Sequence, residues 1–266
     1  MKLTLLRVLG VLLAALTAVG CSGGGTAKAV GALPAAQVVF MVSSGGGLVP
    51  PIVYALDSPS LVIYGDGRIL SAVNTTTSGV PARYRITRVD PLAVASFVSE
   101  TEGSGIINPA KDFGMPGVTD MDSTTVLVHG ENSQAEVHVY AFHDEFDDHV
   151  TPRQQSARAA LRQVIHTATN LAAGGSPAPY APDRVVVYDL GPNSANTATT
   201  AWPGPAPASF LAPSSQFQSV ACGYLTGAPA TAAYGAALDN PGALWLVDGA
   251  TRVLAFNPLP LADACP

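Results

Sequence analysis

Along most of this chain apolar and polar residues alternate over short runs, which predicts strands; in a few places they recur at helical spacing instead. Gln37 to Val42 is a nearly continuous apolar run and reads as a buried strand. Leu61 to Tyr64 and Arg68 to Leu70 flank Gly65-Asp66-Gly67. Asp-Gly tolerates positive φ, so this segment is expected to be a β-hairpin. Tyr84 to Val89 alternates like a further strand, with Tyr84, Ile86 and Arg88 on one side. Thr124 to His129 and Ala135 to Phe142, separated by Gly130-Glu131-Asn132, predict a second hairpin. Arg184 to Leu190 is strand-like. Leu244 to Val247, Asp248-Gly249 and Arg252 to Phe256 predict a third hairpin.

Two helices interrupt the strands. Asp90-Pro91 pairs a cap residue with proline at the first helical position, ahead of Leu92, Val94, Ala95, Phe97 and Val98, and Gly103 is the expected stop. Thr151, Pro152 and Gln154 match a capping box. Behind them Ala157, Leu161, Val164, Ile165, Ala168 and Leu171 form one apolar face, closed by Gly174-Gly175. Strands, helix, strands, helix is the order of an α+β fold: an antiparallel sheet built from hairpins with two helices on one face. A Pro/Ala-rich stretch at 176–183 marks a boundary. Beyond it a smaller α/β segment spans 184–266, with a short helix over 228–238 and irregular structure over 191–219. The first globular region is 37–175.

The first 36 residues read differently. Lys2 and Arg7 precede an apolar run from Val8 to Val19, which is too short to span a bilayer comfortably but suits a secretory signal. Ala18-Val19-Gly20-Cys21 resembles the bacterial lipoprotein box, with Ala18 where leucine is usual. That resemblance implies a signal peptide over 1–20, a diacylated Cys21 as mature terminus, and a Gly/Ala-rich tether over 21–36. An ordinary cleaved signal or an uncleaved anchor are the alternatives.

Charge narrows the partners. The chain has 13 Lys+Arg and 19 Asp+Glu; residues 1–20 hold two of the bases and none of the acids, leaving 11 bases against 19 acids. An acidic body lacks the basic footprint that nucleic acid requires. Membrane contact is therefore expected through the acyl anchor alone, at the extracytoplasmic face of the cell membrane. Beyond it the expected partners are an envelope protein or a small molecule.

Of the three cysteines, setting Cys21 aside leaves Cys222 and Cys265. Outside the cytoplasm an even remainder points to a disulfide, with free thiols or a redox pair as alternatives. Gly65-Asp66-Gly67-Arg68, Thr119-Asp120, Trp202-Pro203, Cys222 and the Pro/Leu-rich tail before Cys265 together resemble a group of actinobacterial secreted or lipid-anchored proteins of unknown function. The tail departs from that group's pattern, in which an acidic residue directly follows the prolines; Asp263 is the nearest here. The resemblance implies envelope location and the Cys222–Cys265 pair, and no catalytic residues.

Candidate chemistry concentrates between His138 and His149, where three histidines and four acidic residues fall within twelve positions. Imidazole and carboxylate suit zinc or another divalent ion, and a loop gathering His143, Asp144, Asp147 and His149 is the candidate site. No H-E-x-x-H or C-x-x-C spacing supports it, and the alternative is a solvated acidic loop. The chain lacks a G-x-S-x-G elbow. Ser43-Ser44-Gly45-Gly46-Gly47 lacks the Lys-Ser/Thr of a phosphate loop and reads as a flexible or bulged loop; Leu48 to Pro51 is a poor helix start. No cofactor is called for. The expectation is a non-catalytic, lipid-anchored binding or scaffolding protein; the alternatives are an envelope hydrolase and a divalent-metal-binding lipoprotein.

Overall fold

The computed structural model describes residues 31–49, 51–74, 80–193, 199–214, 217, 219–259 and 265. Cys21 and the signal peptide expected over 1–20 lie outside them. The fold is α+β, with two sheets, four α-helices and a C-terminal disulfide among the described residues.

The first sheet has seven antiparallel strands in the order β6-β5-β1-β2-β3-β4-β7. They are β1 (Val38–Gly46), β2 (Leu61–Tyr64), β3 (Arg68–Ala72), β4 (Tyr84–Arg88), β5 (Asp122–His129), β6 (Gln134–Tyr140) and β7 (Ala178–Pro179). The β2–β3 hairpin turns at Asp66-Gly67 as expected. Gly67 sits at φ +85°, and a Cβ there would collide with the Val89 carbonyl, so glycine is required twice over. β1 runs further than its apolar stretch. Ser43 to Gly46, expected as a loop, continue the strand and pair with Thr125 to Asp122. The backbone ladder to β5 overrides their weak strand propensity.

Helices α2 (Pro91–Ser104) and α3 (Pro152–Ala173) cover one face of this sheet. Asp90 caps α2 by accepting from Leu92 N, and the helix passes Gly103 to end at Gly105 in the left-handed region. Gly103 carries a small propensity cost, whereas Gly105 supplies the C-terminal αL geometry. Thr151 and Gln154 form the expected reciprocal capping box. Strand residues Phe40, Val42, Ile63, Val126 and Val139 meet Val94, Phe97, Val98, Leu161 and Ala168 in one core. Phe40 and Phe97 pack edge to face, 5.1 Å between centroids. Burying each of the larger side chains contributes about 1.5–3 kcal/mol.

The second sheet has the order β10-β11-β8-β13-β12-β9. Its strands are β8 (Arg184–Pro192), β9 (Thr199–Ala201), β10 (Ala212–Pro213), β11 (Ala221–Thr226), β12 (Leu244–Val247) and β13 (Ala250–Asn257). β9 pairs parallel to β12 and the other neighbours are antiparallel. The 191–219 stretch, expected to be irregular, thus contributes two short edge strands. Helix α4 (Gly227–Asp239) packs on one face through Ala230, Ala233, Tyr234 and Ala237. The Cys222–Cys265 bridge forms, with Cα atoms 5.6 Å apart and the cysteines separated by 43 positions in sequence. Closing that loop contributes roughly 4 kcal/mol through chain entropy.

The two sheets are not independent. A helix the sequence reading missed, α1 (Pro51–Leu56), lies against the other face of the second sheet, where Leu56 joins Val186, Tyr188, Cys222 and Ala255. Asn257 at the end of β13 reaches back to the segment after α1. Tyr234 of α4 donates to the Ala82 carbonyl at 2.7 Å. Among the described residues no helix is long and apolar enough to cross a membrane.

Candidate functional site

The acidic segment after β6 becomes a 3-10 turn over Asp144–His149. It does not gather the four candidate ligands. His143 turns toward β5 and its Nε2 lies 2.8 Å from Asp122 Oδ1. Asp144 pairs with Arg162 Nε at 2.7 Å. Asp147 accepts from Arg158 Nε at 2.8 Å and from both terminal nitrogens of Arg162 at 2.7 and 2.9 Å. His149 packs edge to face on Phe146. Among the described residues no group of three or more His, Cys, Asp or Glu side chains is arranged to hold a metal ion. The two arginines compete for the carboxylates that a divalent ion would need. The hydrogen bond from Arg162, ahead of that from Arg158, holds the Asp147 carboxyl below its usual range.

Arg158 is the residue that shapes this region. It sits on α3 inside the apolar stripe and is fully buried. Besides Asp147 it donates to the carbonyls of Phe113, Tyr140 and Ala141. Ala141 has φ +48°, a conformation a non-glycine residue adopts only when its surroundings hold it. The arginine's hydrogen bond to that carbonyl is part of the holding. Arg158 and Arg162 also lie 5.3 and 4.8 Å from the Phe142 ring centroid, clamping it. A charged residue between Ala157 and Leu161 was the available sequence signal, and the apolar periodicity masked it.

Between the sheet and α3 this arrangement leaves an open pocket of about 600 Å³. Val42, Phe142 and Ile165 form apolar parts of its wall; Ser44, Thr124, His143, Asp144, Arg162 and Thr169 supply polar groups. Ser44 Oγ and Thr124 Oγ1 lie 3.0 Å apart across adjacent strands.

A second cavity, of about 580 Å³, opens on the opposite face of the same sheet. Met41 lines it and Val42 lines the first pocket, as consecutive strand residues must. Its sheet wall includes Val38, Met41, Val62 and Leu127, while Pro258 and Leu259 approach from the end of β13. Tyr64, His129, Tyr180, Asp183 and Arg184 add polar groups. Burial pushes the Tyr64 and Tyr180 phenols above their ordinary range, so both remain neutral hydroxyls near pH 7. The cavity is a cleft between the two sheets, and its walls come from segments far apart in the chain.

Asp57, which the sequence reading did not single out, follows α1 and packs over Gly45, where a Cβ would collide with its Oδ2. Burial, then the like charge of Asp122, pushes its carboxyl up to about 6 from 3.8. The folded-state value exceeds the unfolded one. Its contribution to stability is therefore complete below about pH 3.8 and lost as pH rises through 6. Asp57→Asn is expected to raise stability above pH 6 by ~1 kcal/mol, after allowance for solvent screening of a half-buried group. The gain should vanish near pH 4, as urea unfolding across pH would register. A gain of equal size at both pH values would show that the carboxyl is not strained by burial.

No family model matches this chain, and no curated protein or solved structure is detectably similar to it.

Proposed function

We propose that this chain is a lipid-anchored cell-envelope protein of the actinobacterial type, held at the extracytoplasmic membrane face through Cys21, and that its body binds a small amphipathic ligand without chemistry. The observation that carries the binding reading is the cleft between the two sheets. It is within the size range of small-molecule sites, lies at an interface between sheets, and combines apolar walls with a few placed polar groups. No serine, threonine or cysteine lines it among the described residues, so it offers none of those side chains as a nucleophile. The signal-like leader and the cysteine at its end support the anchor.

Two measurements test this reading. Mass spectrometry of the protein from native membranes is expected to find a lipid on Cys21, and the Cys21→Ser chain should appear without it in the soluble fraction. That lipid-free chain is expected to enhance the fluorescence of N-phenyl-1-naphthylamine. Leu127→Trp, which fills the cleft from β5, should weaken the probe by about tenfold. Unchanged probe affinity in Leu127→Trp would sink the cleft as the ligand site.

A further inference from the structure

The pocket on the helix side of the first sheet is a separate matter from the cleft. We infer that it is a binding site for a neutral, polyhydroxylated ligand of the mono- or disaccharide class, held between the Ser44–Thr124 hydroxyl pair, His143 and the α3 side chains.

The chemistry follows from what the pocket's charges already do. Asp144 is neutralised by Arg162 and His143 is tied to Asp122. The remaining bonds of Arg162 go to Asp147, behind the pocket wall. These pairs are made within the protein, and Glu145 and His166 complete the polar lining, the exposed Glu145 adding an acceptor for hydroxyls and a repulsive charge for an anion. A metal ion or a phosphate would first have to break those pairs. Hydroxyl groups need break none of them. A carboxylate oxygen already bound to arginine retains lone pairs, and hydroxyls both donate and accept. A sugar hydroxyl, itself donor and acceptor, suits such a lining.

The side chains are also held in place before a ligand arrives. His143 is fixed at one ring nitrogen by Asp122, at 2.8 Å, leaving its other nitrogen for a ligand. Ser44 and Thr124 fix each other at 3.0 Å, across the β1–β5 ladder that pairs their backbones. Phe142, held by Arg158 and Arg162, and Ile165 give the wall its apolar part, against which the C–H groups of a sugar can rest. Pre-ordered polar groups reduce the entropic cost of holding a ligand that binds through hydrogen bonds. The volume of about 600 Å³ and the open mouth suit a compact sugar or the end of a longer glycan.

The test uses the full-length Cys21→Ser chain and saturation-transfer NMR with maltose, cellobiose and N,N′-diacetylchitobiose, with glucuronic acid and zinc as charged controls. At least one neutral sugar should receive saturation. Its affinity should fall about tenfold in Ser44→Ala/Thr124→Val, which removes both hydroxyls while keeping the strand pairing. Thr169→Trp, an exposed helix position lining the pocket, should abolish the signal without altering the fold, as circular dichroism would confirm. Absence of transfer from all three neutral sugars overturns the inference, as does transfer that both variants leave intact. Tighter binding of glucuronic acid, or zinc affinity lost in His143→Ala, would show that the pocket's charges are available after all and would overturn it too. The 1-naphthylamine probe of the cleft should be indifferent to Thr169→Trp, so failure at one site is distinguishable from failure at the other.

Discussion

Arg158→Met is expected to destabilise the fold by about 3 kcal/mol, read as a lowered urea midpoint with an unchanged slope. Methionine fills a similar volume among apolar neighbours, so the loss would come from hydrogen bonds and not from a cavity. The guanidinium is wholly buried and serves Asp147 and the carbonyls of Phe113, Tyr140 and Ala141 together. Removing it leaves those carbonyls without that donor, and a buried unmet acceptor costs on the order of 1–3 kcal/mol. Asp147 keeps Arg162, so no naked buried charge results and the effect stays below that of breaking an isolated buried pair. Arg162→Met should cost under ~1 kcal/mol, because Arg162 is partly exposed and its ion pairs are screened. Equal losses in the two variants would show that the arginines act as a simple charge cluster and that the carbonyl contacts do not matter. The left-handed Ala141 should also relax in Arg158→Met, moving Phe142 and His143, which amide chemical shifts would report.

Asn257→Ala is the second large effect, also expected at about 3 kcal/mol. Asn257 is fully buried at the end of β13. Its amide donates to the carbonyls of Ala55 and Asp57 at 2.9 and 3.0 Å, and its oxygen accepts from Ser58 Oγ at 2.7 Å and Leu259 N at 3.0 Å. Two donors and two lone pairs are thereby all used, which is the full capacity of the side chain. The bonds tie the second sheet to the last turn of α1 and the segment after it, and set the start of the tail that lines the cleft. Loss of the amide should therefore weaken N-phenyl-1-naphthylamine binding as well as stability. Asn257→Asp keeps the shape but removes both donors and sets a carboxylate against two carbonyls, so it should be no better tolerated. A stability change below ~1 kcal/mol in Asn257→Ala would mean that the apolar contacts of α1, not this side chain, join the sheets.

Of the candidate metal ligands, sequence proximity was the only evidence, and proximity along a chain is not convergence in space. His143, Asp144, Asp147 and His149 lie in or beside one turn, yet Asp144 and Asp147 go to Arg162, His143 goes to Asp122, and His149 packs on Phe146. The turn's short pitch directs successive side chains apart, and Arg158 and Arg162, a helical turn apart on α3, draw the acids to themselves. The partner of His143 is Asp122, 21 positions earlier at the start of β5.

Periodicity, caps and turn residues by themselves determined the three hairpins, α2, α3 with its capping box, α4 and the α+β class, because these depend on contacts a few residues apart. The spare pair of cysteines likewise pointed to the bridge that forms. Tertiary structure alone decided that Ser43 to Gly46 are strand, that α1 exists, and that the two sheets share Asn257. It also decided that one sheet carries a pocket on one face and a cleft on the other. Those features rest on groups 80 to 202 positions apart, such as Ser44 with Thr124 and Ala55 with Asn257. Strand order and register bring such groups together, and no local pattern of apolar and polar residues encodes either one.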